Sequence, residues 1–431
     1  MASYRFMRRL NSVDKAIGTV YEYLRNNLTV ESRCIDSNII GSYSAEEVRA
    51  NRDIPPSNRA VVDGCAAISL DLGGASPEAP VILRKMGSIY AGDTSDTVLN
   101  RGECIEVATG AVLPANADVV VPAEYLVDIS QGNIGVIKEF NSGYGVSLKG
   151  EDLKSGEIVI NLGDIILEHH VAMVSALGIP TLKTWRLPKV SIISTGSEIV
   201  EPGQELVPGK IYDSTRRLVK GFLKRLGFTD INDYGIVPDD KDTIRELLER
   251  ATIESDMIIT IGGTSVGKRD TTIRAIEEMN PVSFIHGFAL TPGRPFGIAR
   301  TRPGKLIVSL SGMPVAALTE LMAIIEPALS IALGRAKRIL PVVKGVLKKK
   351  LVTHPGMLNY VRSKLSCSPD GRLYVEPLRL TGSGILSTLR EGPGIVVVPP
   401  DITGYNEGDI VEVIIYNTDS LDCTRNMGEV K

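Results

Sequence analysis

The pattern that most constrains this chain begins at Lys189, where short apolar runs alternate with amphipathic segments. Val190-Ser191-Ile192-Ile193 runs into Ser194-Thr195-Gly196, and the continuous apolar run 256–261 enters Gly262-Gly263. Strands apolar along most of their length must be covered on both faces, which suits a helix-flanked parallel sheet. The intervening segments fit that cover. Residues 216–226 place Val219, Phe222, Leu223 and Leu226 on one face and stop at Gly227. Asp240 can cap a helix whose apolar face is Ile244, Leu247, Leu248 and Ala251. A helix from Thr271, strands at 296–300 and 306–310, and a long helix from Pro314 complete an α/β unit.

The flanks read differently. Ser12 can cap a first helix carrying Ala16, Val20, Tyr21 and Leu24 at helical spacing. Between residues 51 and 150, β-branched runs alternate with Gly, Pro, Asn and Asp, the signature of a small β domain. A helix at 169–177 ends at Gly178 and Pro180, and 185–188 reads as a linker. After Gly334 the chain is again strand-like, with a hairpin signal at Asp370-Gly371. The expected architecture is multi-domain, α/β plus β. A central three-layer α/β domain (185–333) joins two mainly β domains, an inserted one (51–150) and a C-terminal barrel-like one (334–431). Residues 1–50 and 151–184 form a discontinuous, elongated mixed α+β linker domain.

Composition excludes several function classes. A formal net charge of −3 over 431 residues, with no basic stripe, argues against nucleic acid and anionic membranes as partners. The run Lys348-Lys349-Lys350 is short and reads as a solvated face. Five scattered cysteines without a C-x-x-C pair argue against a disulfide framework and a structural zinc site. The greasy stretch 315–333 is interrupted by Glu320, Glu326 and Pro327, so it reads as a buried helix with a proline kink or break. With no signal peptide visible, the expected location is cytoplasmic.

Open parallel sheets bind ligands beyond the carboxyl ends of their strands. Four such ends stand out: Ser194-Thr195-Gly196-Ser197-Glu198, Gly235 through Asp239-Asp240, the loop 262–270, and Ser311-Gly312-Met313-Pro314. The loop Gly262-Gly263-Thr264-Ser265-Val266-Gly267-Lys268-Arg269-Asp270 nearly matches a P-loop but has Arg269 where a hydroxyl would ligate magnesium. It reads instead as a phosphate cradle of another kind. Glu198, Asp239, Asp240 and Asp270 lie at three of these ends, and acids beside phosphates call for a hard cation such as magnesium. Asp240 stays open between helix cap and acid cluster.

In this order the loops resemble the molybdopterin-binding domain shared by the MoeA, MogA and gephyrin families. The family patterns S-T-G-x-E-[LI], G-x-I-x-D-[ST], G-G-x-S-V-G-x-x-D and P-G-[KR]-P find counterparts at 194–199, 209–214, 262–270 and Pro292-Gly293-Arg294-Pro295. Outside that domain, the stretches 55–64, 109–120 and 150–156, with Gly382-Ser383-Gly384 and Glu407-Gly408-Asp409, resemble MoeA signatures rather than the single-domain MogA type. The resemblance implies an enzyme of molybdenum cofactor biosynthesis. Such an enzyme inserts molybdate, or tungstate, into adenylated molybdopterin with magnesium-assisted release of AMP. It implies an elongated homodimer with sites shared between subunits, supplied by a MogA/MoaB-type protein. By motif, Asp63, Asp152, Glu198, Asp270 and one of Asp239 or Asp240 are the functional acids, with Glu198, Asp239 and Asp270 as magnesium ligands. Thr195, Gly196, Gly262, Gly263, Ser265, Gly267, Pro292, Gly293, Gly312 and Pro314 shape the pterin site. Arg294, Arg362 and Ser383 bind oxyanions.

The sequence also departs from the pattern. Asn58 and Ala60 replace an Asp and a Ser, Cys65 an aromatic, and Thr291 a Lys. Ser311, Met313 and Ala316 replace the first Pro, the Asn and the Ser of P-G-N-P-V-S, and Met357 an Arg. A non-catalytic molybdopterin-binding or scaffold paralogue is the alternative reading.

Overall fold

The computed structural model describes residues 10–93, 96–129, 132–264, 271–335, 338–369, 371–378 and 382–417. At its centre is a six-stranded sheet in the order Ile231–Val237, Val190–Thr195, Met257–Ile261, Leu306–Leu310, Gly297–Arg300, Ser283–His286. The first four strands are parallel, Gly297–Arg300 runs antiparallel to them, and Ser283–His286 pairs antiparallel to Gly297–Arg300. Alternate residues of the central strands feed opposite cores. Ile192, Ile259 and Val308 pack with the helices Thr215–Arg225 and Pro314–Glu320. Ile193, Ile258 and Ile307 pack with Lys241–Glu254 and Thr271–Glu278. Burial on both faces is why these strands lack a polar alternation, and it makes the unit three-layered.

The helix from Pro314 runs to Ala332 through a π-helical turn, Leu321–Ile325. Pro327 follows that turn, so the backbone bonds that a proline ring disrupts are shifted by a wider turn and the helix continues without a break. It is the one helix among the described residues long and apolar enough to cross a membrane, and 83% of its most apolar window is buried in the protein. The first helix, Val13–Asn27, capped by Ser12, packs against this same rod and joins the α/β core. Of the stretch 185–188 expected as a linker, Trp185 and Arg186 end the strand Thr181–Arg186, and Leu187 and Pro188 lie outside regular structure. Trp185 there pairs opposite Val30 and packs on that core.

Residues 64–136 supply a six-stranded sheet with apolar cores on both faces. In the C-terminal region the strands Leu358–Cys367, Leu373–Pro377, Val342–Leu347, Ile410–Ile415 and Gly394–Val398 pair in that order, and the last closes back on the first. Closure leaves no free edge and defines a small barrel. The α/β unit is fastened to it by the strand Leu290–Thr291, which pairs with Leu358 and Asn359. One cysteine expectation fails: Cys367 is disulfide-bonded, while Cys34, Cys65 and Cys104 are free.

Candidate functional site

A cavity of about 820 Å³ opens at the carboxyl edge of the parallel strands, against the barrel. Its floor is Thr195, Gly262, Gly263 and Gly312, where strands give way to loops. Two glycines there are obligatory. A Cβ on Gly262 would stand 2.5 Å from the Thr195 carbonyl oxygen, and one on Gly263 2.3 Å from Thr272 Oγ1. Both carry positive φ. The buried hydroxyls of Thr195 and Thr272 lie 3.0 Å apart and tie the first strand end to the start of the helix Thr271–Glu278. Bare backbone is thereby presented where an anion or a flat ring can approach.

One wall is the Pro292-Gly293-Arg294-Pro295 turn, directly after the strand that joins the barrel. The Leu358 N–H donates to the Ala289 carbonyl, which anchors the approach to that turn. Pro314, Ser383 and Gly384 also line the cavity. Here the Val315 N–H donates to the Ser383 carbonyl, docking the helix start on the barrel loop. The Ser383 hydroxyl meets the Met313 thioether at 2.7 Å. Glu198 lines the cavity, its carboxylate lying over Gly196.

The remaining predicted acids are dispersed. Asp239 accepts the Ser197 N–H at 2.9 Å and so orients the turn that carries Glu198. Asp240 accepts from Thr243 N–H and Oγ1, at 2.8 and 2.6 Å, and caps its helix. Those bonds, the hydroxyl's foremost, hold its carboxyl below the usual range. The two-way reading of Asp240 is thus met by a cap. Asp63 lies in a second cavity of about 440 Å³ in the β domain, with Lys85 and Glu106. Its carboxylate accepts from the Thr109 N–H and hydroxyl, at 2.7 and 2.8 Å, which lowers its pKa. Asp152 is exposed in the turn after Gly150, and its N–H donates to the Ile54 carbonyl. Ser265, Gly267 and Asp270 lie outside the described residues. Arg362 is buried in the barrel strand Leu358–Cys367 and is not among the residues lining either cavity. Its Nε has no hydrogen-bond partner among the described residues, and burial lowers its pKa.

Several departures have local physical answers. Asn58 keeps the acceptor that an Asp would offer, taking the Lys149 N–H at 2.9 Å. The Cys65 sulfur packs 3.5 Å from that of Cys104 in the β-domain core. Thr291, Met313 and Ala316 all line the large cavity, so these three changes fall on one surface. Asp213 and Thr215 also line it and were not singled out as site residues. The signal for Asp213 was the G-x-I-x-D-S motif at 209–214, which Thr215 directly follows. Asp213 is held by Arg216 at 2.8 Å, and the Thr215 hydroxyl donates to the Gly312 carbonyl at 2.7 Å. Both brace the cavity wall.

Comparison with known proteins identifies the family. Residues 11–178 match the MoeA N-terminal region (domain I and II), 191–330 the probable molybdopterin binding domain, and 344–416 the MoeA C-terminal region (domain IV). A putative molybdopterin biosynthesis protein of Methanocaldococcus jannaschii is 32% identical, over 95% of this chain and 99% of its own length. A molybdopterin molybdenumtransferase of Staphylococcus epidermidis is 30% identical, over 91% and 94%. A crystal structure of a molybdopterin biosynthesis MoeA protein from Pyrococcus horikoshii superposes with a TM-score of 0.77 at 32% identity, covering 95% of this chain and all of that one. The chain belongs to the MoeA family and is a transferase of molybdenum cofactor biosynthesis.

Proposed function

We propose that the protein inserts molybdate or tungstate into adenylated molybdopterin and releases AMP. The observation that carries this reading is one cavity where a glycine-cleared sheet edge, Arg294, Glu198 and the Ser383 hydroxyl line a common space. Its volume suits a ligand of pterin-nucleotide size. In this reading the backbone of Gly262 and Gly263 takes a phosphate, and Arg294 presents its donor fork to an oxyanion. Arg362, buried in the barrel and lining neither cavity, is not given that role.

The acids fit magnesium in one way. No group of three or more His, Cys, Asp or Glu among the described residues is placed to hold a metal alone. Magnesium commonly keeps most of its waters and takes one or two carboxylates beside substrate phosphates. Glu198 and Asp239, which meet at Ser197, would be those ligands. When bound, the ion would offset phosphate charge as the bond to AMP breaks. Asp63 sits in another cavity, so the reading also requires a homodimer in which Asp63 of the partner subunit completes the site. We further propose the domain division at residues 50, 150, 184 and 333, a cytoplasmic location, and a MogA/MoaB-type protein as the source of adenylated pterin.

AMP release from adenylated molybdopterin, with magnesium and with molybdate, tungstate or neither, tests the proposal on wild type and Glu198→Gln. Oxyanion-dependent release, reduced at least about a hundredfold in the variant, is expected. The Met313–Ser383 contact favours one second reading, since it occupies a hydroxyl the oxyanion needs. Tight pterin binding without release under any condition would overturn the enzyme and leave a pterin-binding protein.

A further inference from the structure

Glu320 is the last residue before the π-helical turn in the helix from Pro314, and its side chain is wholly buried. A buried carboxyl must meet a cation or stay neutral. Its hydrogen-bond partners among the described residues are both on Ser311, whose N–H donates to Oε2 at 2.8 Å and whose Oγ is bonded to Oε1. Burial pushes its pKa up to about 8, while the Ser311 bonds pull the other way. A neutral acid suits this site. Its carbonyl oxygen accepts the N–H, and its O–H can donate to the serine oxygen, which accepts as readily as it donates.

Gly293 presses on the same group from the other side. A Cβ there would lie 2.8 Å from Glu320 Cγ and 3.3 Å from Oε1. Gly293 and Ser311 belong to different walls of the large cavity, so Glu320 is wedged directly behind both. Among the described residues, the groups bonded to or pressing on it carry no charge. The strand end offers Ser311, the turn offers Gly293, and on its own helix the Thr319 hydroxyl is turned to the Val315 carbonyl. The charged residue next in that turn, Arg294, lines the cavity. Where the family pattern has proline, with no N–H to donate, this chain has Ser311, which supplies both groups that hold the acid.

We propose that Glu320 is a positioning residue, a neutral clamp that fixes Ser311 against the Pro292–Pro295 turn and so sets the spacing of two cavity walls. The pterin as the clamp's beneficiary rests on the function proposed above; the clamp itself does not. Once ionised, the carboxylate gains by being hydrated, which requires the wedge to open. The walls therefore loosen as pH rises through the folded value, and a side chain neutral at every pH abolishes that response.

Hydrogen–deuterium exchange on the full chain tests this with wild type, Glu320→Gln and Ser311→Ala, at about pH 7 and about pH 9. After correction for the intrinsic pH effect, peptides covering 290–295 and 309–314 should exchange alike in wild type and Glu320→Gln at the lower pH. At the higher pH, wild type should exchange at least about threefold faster than the glutamine variant. Ser311→Ala, lacking one of the two bonds, should be faster at both. Equal exchange of wild type and Glu320→Gln at both pH values overturns the clamp, as does a change that leaves these two peptides unmoved. Adenylated molybdopterin is then titrated under the same conditions. Affinity lost at high pH in wild type alone ties the clamp to the pterin. A pH-dependent exchange difference without pterin binding leaves the clamp standing and sinks the pterin reading.

Discussion

The two cavities of this molecule are built on opposite logics. The sheet-edge cavity is framed by backbone, with glycines where side chains would collide and a barrel strand holding one wall. Its acids are few, and Asp213 is already spent on Arg216. The β-domain cavity instead gathers charge, with Asp63, Glu106, Asp128 and Lys85 around the one lining glycine, Gly64, where a Cβ would meet the Val121 carbonyl, and Lys85 is paired with Glu106. One region can receive a phosphate and a ring. The other can offer an acid. Among the described residues neither gathers a phosphate cradle and a full set of acids, and this division is the strongest physical reason to test whether two chains combine.

The comparison breaks most readily at its rigid side. Gly263→Val drives a side chain into Thr272, which should cost about 2–4 kcal/mol of stability. Denaturant unfolding would show it, with pterin affinity falling at least about tenfold at a temperature where the chain stays folded. Unchanged affinity would mean that the glycine edge is not the phosphate cradle. The next effect sharpens the division itself. Asp63→Asn and Glu198→Gln should each nearly abolish AMP release. Unfolded and refolded together in equal amounts, they should recover about a quarter of the wild-type rate, because half the dimers then hold one intact site. No recovery from a mixture shown to contain heterodimers would place both acids in one chain's site.

How much of this was legible in the sequence differs by region in the same way. The α/β layers were readable because strands buried on both faces leave continuous apolar runs, as at Met257–Ile261. Glycine-rich strand ends announced the cavity because backbone approach leaves a residue-type signature. The C-terminal region was expected to be barrel-like, but which strands close it was not legible, since closure pairs Leu358–Cys367 with Gly394–Val398, which are far apart in the chain. Trp185 was read as linker because a short strand buried on one face only, with Leu182 and Thr184 inward, has a weak pattern. The acids were the least legible part. Spacing could place Asp63 and Glu198 near glycines, but not assign them to separate cavities, because that depends on the packing of whole domains. Glu320 looked like an interruption of an apolar helix, and only its contact with Ser311 and Gly293 gives it a role.

The smallest expected effect concerns Asp240, which lies at the rim of the first region yet shares the logic of neither cavity. Its carboxylate is engaged by Thr243 as a helix cap. Asp240→Ala should lower the melting temperature by only about 2–4 °C and leave AMP release within about twofold. The pH dependence separates a cap from a metal ligand. Thr243 holds this carboxyl below its ordinary value of 3.8, so the ionised form stabilises the fold. That contribution is full above the unfolded value and is lost as pH falls through the lower, folded one. The gap in melting temperature between wild type and variant should therefore persist at neutral pH without magnesium and close in acid. A gap that instead required magnesium would return Asp240 to the metal site, and Asp239, which holds the Ser197 turn, would become the structural member of the pair.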